Sequence, residues 1–145
     1  MNMSERHVSR VGVDLLLERK NTTTSKTEIL MILAEYLDNQ YDLPGGHLES
    51  GEDLYDAMIR EAKEELGIEI EREDMQMVHI YHHFEKDMLK FVFKVKIFKN
   101  EIQNLEPEKC KELKWVDIEN LPVNTISGIR RELEYIKSKK HYSCD

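Results

Sequence analysis

GHLESGEDLYDAMIREAKEELGI, residues Gly46 to Ile68, is the stretch that decides how this chain folds. Tyr55, Met58, Ile59, Ala62 and Leu66 recur at helical spacing, which predicts a helix from about Glu52 to Leu66 with one apolar side. Ser50 is the expected N-cap, with Asp53 three residues on in the manner of a capping box, and early acidic residues suit the helix dipole. Gly67 closes the helix as a C′ glycine. At about 100° per residue, Glu61, Glu64 and Glu65 share a sector of roughly 100°, one turn apart along the axis. Like charges that close cost several tenths of a kcal/mol per pair on an exposed helix. A cation among them would turn that cost into a binding site. Hard oxygen ligands suit Mg²⁺ or Mn²⁺, and a phosphate substrate would complete the coordination.

The flanking segments supply the rest of the architecture. Val8 to Glu18 is β-branched and apolar and reads as a strand, followed by a polar loop over Asn21 to Lys26. Glu28 to Glu35 is short enough to be a buried strand. Pro44-Gly45-Gly46 marks a break where the backbone needs freedom. Met77 to His83 and Leu89 to Phe98 read as strands around a turn at Glu85-Lys86-Asp87. Glu112 to Val116 is a further strand carrying Trp115, and Ile126 to Lys137 an amphipathic helix. The tail from Lys139 to Asp145 is expected to fray. This order predicts an α/β fold with a mixed β-sheet between helices, one domain over residues 1–145.

Composition narrows the function. At 145 residues the chain can bury a core without staples. A net charge of −8 argues against a nucleic-acid polymer, whose phosphates demand a basic surface. A small phosphorylated ligand stays open if a divalent ion screens the contact. Cys110 and Cys144 form no CxxC and read as free thiols of a reducing compartment. The first ten residues lack the apolar core of a signal peptide, and no apolar run is long enough to span a bilayer. A cytoplasmic protein without membrane contact is the expectation.

Gly46, Glu52, Arg60, Glu61, Glu64, Glu65, Gly67 and Ile68 stand at the spacing of the Nudix box, and the chain resembles the Nudix hydrolases, MutT-like members included. Ala62 is smaller than the residue usual at its place. Leu43-Pro44 before the box, and Trp115-Val116-Asp117 with Leu121-Pro122 after it, extend the resemblance over most of the chain. The resemblance implies the Nudix-type α/β/α sandwich and Mg²⁺-dependent hydrolysis of a nucleoside diphosphate linked to another group. By matching positions, Glu61, Glu64 and Glu65 would hold the metal, or Glu61 would instead contribute in part to activating or orienting the attacking water. Backbone at Gly45 and Gly46 could approach metal and phosphate closely, since no Cβ intervenes. Glu52 and Arg60 would pair, fixing loop against helix rather than touching substrate. Many family members add a carboxylate from a later loop as general base; Glu106 is the first candidate and Glu108 the second. Family members are often dimers, so a homodimer is compatible.

Other residues invite chemistry less strongly. His79, His82 and His83 fall on a predicted strand, where i and i+4 lie too far apart for one zinc ion. Tyr81 and Phe84 could stack on a base or simply pack. Cys110 has no His or basic helix end to place beside it as an activator, and Arg130-Arg131 reads as surface charge. Features that mark ADP-ribose, dinucleoside polyphosphate and coenzyme A hydrolases within the family are missing. A nucleoside triphosphate or modified triphosphate remains as the default substrate. The alternatives are a nucleotide sugar such as ADP-ribose, or a non-catalytic nucleotide-binding domain of the same fold.

Overall fold

In a computed structural model, which describes residues 6–145, β1 (Arg10–Lys20) is the strand around which the molecule is arranged. The sequence VDLLL is buried on both faces, as suits a strand covered from both sides. The elements that follow are β2 (Thr27–Ala34), β3 (Gln40–Asp42), β4 (Gly45–His47), α1 (Leu54–Leu66), β5 (Met75–His83), β6 (Met88–Val95), β7 (Cys110–Asp117), α2 (Ser127–Lys137) and β8 (Tyr142–Cys144). The strands run in the order β3-β2-β1-β6-β5-β8, with β4 against β1 and β7 against β2. β1 lies parallel to β6, from Arg10 opposite Met88 to Leu17 opposite Val95. Its other edge takes β4 near the start, Gly12 opposite His47, and β2 near the end, Glu18 opposite Ile29. The sheet is mixed, as expected.

Period-two alternation along β1 divides the interior. Val13, Leu15 and Leu17 pack with Phe93, Val95 and the inner side of α1 at Met58, Ala62 and Leu66. Leu16 turns the other way, to Met31, Val92 and the inner side of α2 at Ile129 and Leu133. One sheet between two helices is the α/β/α sandwich the sequence predicts. Ala62 is 1% exposed, so the small residue of the box is a core residue.

Three local expectations need correction. α1 starts at Leu54, and its N-cap is Asp53, whose Oδ1 accepts from the Asp56 N–H at 2.9 Å while Asp56 answers from N3. Ser50 does not cap; Glu52 points its carboxylate back to the Glu49 N–H instead. The strand expected to reach Phe98 ends at Val95, leaving Ile97 exposed. The tail expected to fray forms β8, parallel to β5 with Ile80 opposite Tyr142. Buried His79 holds it there: Nδ1–H donates to the Lys140 carbonyl (2.8 Å) and Nε2 accepts from the Ser143 hydroxyl (2.7 Å). The first residues of the expected domain, 1–5, lie outside the described residues. Among those described, no helix is long and apolar enough to cross a membrane.

Candidate active site

The end of β4 and the outer side of α1 meet at a cavity of about 590 Å³, and Gly45, Gly46, Arg60, Glu61, Glu64 and Glu65 line it. Why two glycines stand there is visible from their neighbours. A Cβ on Gly46 would overlap the Glu61 carboxyl group, and a Cβ on Gly45 would overlap the Val13 carbonyl of β1. The strand can thus lie against both β1 and the helix carboxylates only if both residues lack side chains.

Arg60 organises the carboxylates around itself. Its Nε donates to Glu52 Oε2 (3.0 Å) and Nη2 to Glu52 Oε1 (2.8 Å), a two-pronged grip that ties the loop to the helix. Nη2 also donates to the His47 carbonyl at 2.9 Å, fixing the end of β4. Nη1 reaches Glu61 Oε1 at 2.9 Å and the more exposed Glu64 Oε2 at 3.2 Å. The hydrogen bond from Arg60, then that from the Glu49 N–H, holds the Glu52 carboxyl below its ordinary range.

Glu106 arrives from the loop before β7. That loop is hydrogen-bonded to the carboxy-terminal end of α1, Gln103 N–H to Leu66 O (2.9 Å) and Leu105 N–H to Glu65 O (3.0 Å). Asn104 accepts from the Glu106 N–H and donates to the Cys110 carbonyl, which sets the turn. Glu106 lines the cavity with Asn104 and Lys109, and Lys109 Nζ stands 3.5 Å from Glu106 Oε2. Glu108 is exposed and is not part of the lining.

The result is an acidic enclosure with too little positive charge. Burial pushes the Glu65 carboxyl up to about 8, Glu61 and Glu106 add to the rise, and the Gly45 N–H opposes it. Glu61 is raised too, first by burial and then, against the pull of Arg60, by Glu64 and Glu106. As the side chains stand, no three His, Cys, Asp or Glu residues among those described are arranged around one metal position. Arg60 draws Glu61 and Glu64 toward itself, which accounts for that on the ridge. The donor set nonetheless fits a divalent cation: several carboxyl oxygens crowded together with few cationic groups among them, and a glycine backbone whose missing Cβ lets the Glu61 carboxyl stand against it.

The other candidates take structural parts. His79 is buried beneath β8, and His83 Nδ1 stands 2.8 Å from Asp145 Oδ1. The Tyr81 hydroxyl donates to Asp145, to which Arg131 Nη2 also donates at 3.2 Å. Cys110 is a buried free thiol, raised by desolvation. Sequence reasoning missed a second polar group, Asp14, Asp42, Lys90 and Glu132, on the α2 side of the sheet. Two signals were available: Asp14 interrupts the apolar run of β1, and Glu132 falls on the apolar side of α2 between Ile129 and Leu133.

Comparison with known proteins gives this arrangement its class. The family model described as NUDIX domain matches residues 8–135, and the chain belongs to the NUDIX family. It is 33% identical over 88 residues to the uncharacterized Nudix hydrolase YvcI of Bacillus subtilis (strain 168), covering 55% of this chain and 54% of that protein. It is 30% identical over 89 residues to nucleoside diphosphate-linked moiety X motif 6 of Mus musculus, covering 59% of this chain and 28% of that protein. The chain thus spans about half the length, or less, of these curated relatives. Among solved structures, the MutT NUDIX hydrolase from Burkholderia pseudomallei superposes with a TM-score of 0.76 at 26% identity, over 87% of this chain and 96% of that one.

Proposed function

We propose that this protein is a Mg²⁺-dependent pyrophosphohydrolase that cleaves a nucleoside diphosphate linked to another group, with a nucleoside triphosphate or modified triphosphate as substrate. The observation that supports it is the enclosure itself: Glu61 and Glu65, both raised by burial and then by neighbouring carboxylates, Glu106 among them, beside a backbone stripped of side chains at Gly45 and Gly46. Mn²⁺ satisfies the same donors.

Glu61, Glu64 and Glu65 would hold the metal, which, when bound, supplies charge stabilisation to the phosphate oxygens. For that, Glu61 and Glu64 turn from Arg60, which keeps its grip on Glu52 and the His47 carbonyl and so preserves the frame. The Gly45-Gly46 backbone lies along the diphosphate, where no Cβ keeps it away. In this reading a water oxygen forms the new bond to phosphorus, the bridging P–O bond breaks, and the water's proton passes to Glu106. Glu61 orients that water. A single domain over 1–145 and a cytoplasmic location, expected from the length and sequence of the chain, and a homodimer, compatible with the resemblance, accompany this reading.

The test is incubation of the purified protein with a nucleotide panel and Mg²⁺, followed by phosphate and pyrophosphate assay. Turnover of a triphosphate to monophosphate and pyrophosphate is expected, and replacement of both Glu64 and Glu65 by Gln should abolish it. Tight binding without turnover would replace the hydrolase with a nucleotide-binding domain. Turnover of ADP-ribose above every triphosphate would move the substrate to nucleotide sugars.

A further inference from the structure

The carboxylate cavity is not closed at β4. A second cavity, of about 660 Å³ on the α2 side of the sheet, shares Tyr36, Gly45, Gly46 and His47 with it. A diphosphate laid along Gly45-Gly46 therefore has one end leading past β4 and the other among the carboxylates. With the nucleoside past β4, the group beyond the diphosphate stays on the carboxylate side. The side chains that meet it there select for a phosphate or for a sugar.

Charge makes that selection. Glu49, Glu61, Glu64, Glu65 and Glu106 line this side, and among the described residues its only lysine or arginine side chains are Arg60 and Lys109. A further phosphate brought against those acids is repelled unless a cation besides the metal receives it. Arg60 is unsuited to that task. Its side chain is 22% exposed, and its grip on Glu52 and the His47 carbonyl fixes the guanidinium where it stands. Lys109 is its opposite. The Lys109 backbone is pinned, its N–H donating to Glu106 O at 3.0 Å and its carbonyl accepting from the Glu35 N–H at 3.3 Å. The side chain is 64% exposed, and its ion partner is Glu106 Oε2 at 3.5 Å, which leaves ammonium hydrogens for a ligand. A flexible stem on a fixed root thus carries a mobile charge over the cavity wall.

We infer that Lys109 is a specificity-determining residue: its ammonium group binds the phosphate lying beyond the cleaved diphosphate bridge, and so selects a nucleoside triphosphate over a diphosphate or a nucleotide sugar. This deepens the hydrolase reading and rests on it for the diphosphate along Gly45-Gly46. Pairing with Glu106 does not account for the lysine. An exposed ion pair contributes little, and the turn holds Glu106 by its backbone: its carbonyl accepts from the Lys109 and Cys110 N–H groups, and its own N–H donates to Asn104 Oδ1. A bond from Nζ to a phosphate oxygen is charge-assisted at both ends, whereas a sugar hydroxyl offers no charge in return.

The experiment compares each nucleoside triphosphate with its own diphosphate: GTP with GDP, ATP with ADP, CTP with CDP and UTP with UDP, all with Mg²⁺. In the wild type, kcat/KM for the preferred triphosphate should exceed that for its diphosphate by about tenfold or more. In Lys109→Met, which keeps the length of the stem, that ratio should fall about tenfold, through a higher KM for the triphosphate. Lys109→Arg should restore it to within about threefold of the wild type. Lys109→Gln repeats the comparison if the Met variant does not fold. An unchanged ratio in the variants would overturn the inference, including the case in which both substrates slow together, which would leave Lys109 as a support for Glu106. A wild-type ratio below about threefold for every pair would overturn it too. Calorimetric titration with inorganic pyrophosphate and Mg²⁺ supplies a readout that does not depend on turnover. Its Kd should rise about tenfold in Lys109→Met, and an unchanged Kd, or no binding to the wild type, would count against Lys109. If no nucleotide is turned over, the hydrolase reading fails separately, and the pyrophosphate titration decides on Lys109 alone.

Discussion

Glu65 is a carboxyl group held where its charge is least welcome, and this links stability to pH and to metal. Its folded value of about 8 lies above the ordinary carboxylate range near 4.5. Below pH 4.5 both folded and unfolded chains hold the proton and no penalty exists. Between 4.5 and 8 the unfolded chain releases it while the folded chain retains it, so stability falls as pH rises through that window. The metal-free protein should therefore melt at a lower temperature at pH 8 than at pH 5.5, and Glu65→Gln should flatten that slope. Mg²⁺ should raise the midpoint most at the upper end of the window, where the site is ionised; an equal rise at both pH values would count against Glu65 as a ligand. Gly46→Ala tests the cradle, since the added Cβ meets the Glu61 carboxyl. A fall in kcat of about a hundredfold is expected, because displacement of the carboxyl by an ångström misaligns the reacting groups. The ridge residues were readable because their spacing in the chain is their spacing on the helix. Glu106 was readable only as one of two acids, since a loop sets no periodicity; the hydrogen bonds of Gln103 and Leu105 to the end of α1 bring the loop to the cavity, where Glu106 lines the wall and Glu108 does not. Glu132 was not read at all, because a lone charge on an apolar helix side carries no sign of which cavity it lines.

The helix that presents the ridge is pinned at both ends, and the pins differ in how visible they are in sequence. Gly67 sits at φ 68°, left-handed, and its N–H donates to the Lys63 carbonyl. Gly67→Ala should cost about 1 kcal/mol in chemical denaturation, with Leu105 Cδ1 only 3.3 Å from the new methyl. At the other end three acceptable capping residues crowd within seven positions, Ser50, Asp53 and Asp56, and propensity alone does not choose among them. The choice is made by Arg72, which reaches from beyond the helix to Asp53 Oδ2 at 2.9 Å and Asp56 Oδ1 at 3.0 Å. Asp53→Ala should lower the melting temperature by a few degrees, whereas Ser50→Ala should leave it within error. The reverse ranking would restore Ser50 as the cap. Strand positions were legible from alternation, but their ends were not, because the residues that end them are ordinary strand formers. Ile97 continues the alternation of β6 and yet is exposed, since pairing with β5 has already stopped at Val95 opposite Met75.

The sheet does more than separate two cores; it gives each side of the molecule a different chemistry, with the acid ridge over one face and the Asp14–Lys90 pair under the other. Alternation along β1 produces this directly, because Asp14 must point away from Val13 and Leu15. That much follows from sequence once β1 is known to be central. The closing strand β8 does not, since HYSCD has neither length nor apolar pattern, and its docking depends on partners 60 residues and more away: His79, Tyr81 and His83 on β5. The bonds of His79 dominate, for its ring is 1% exposed and both nitrogens are satisfied by the segment after α2. Removing residues 141–145 leaves Nε2 without Ser143, and an unsatisfied buried nitrogen costs about 2 kcal/mol. The shortened chain should thus melt several degrees lower. His79→Phe in the full chain should be destabilising too, since it leaves the Lys140 carbonyl and Ser143 hydroxyl without their partner. In the shortened chain the same substitution should cost markedly less or stabilise, because the ring no longer has a polar atom to satisfy. Equal effects of His79→Phe in the two backgrounds would mean that β8 is held by something other than this histidine.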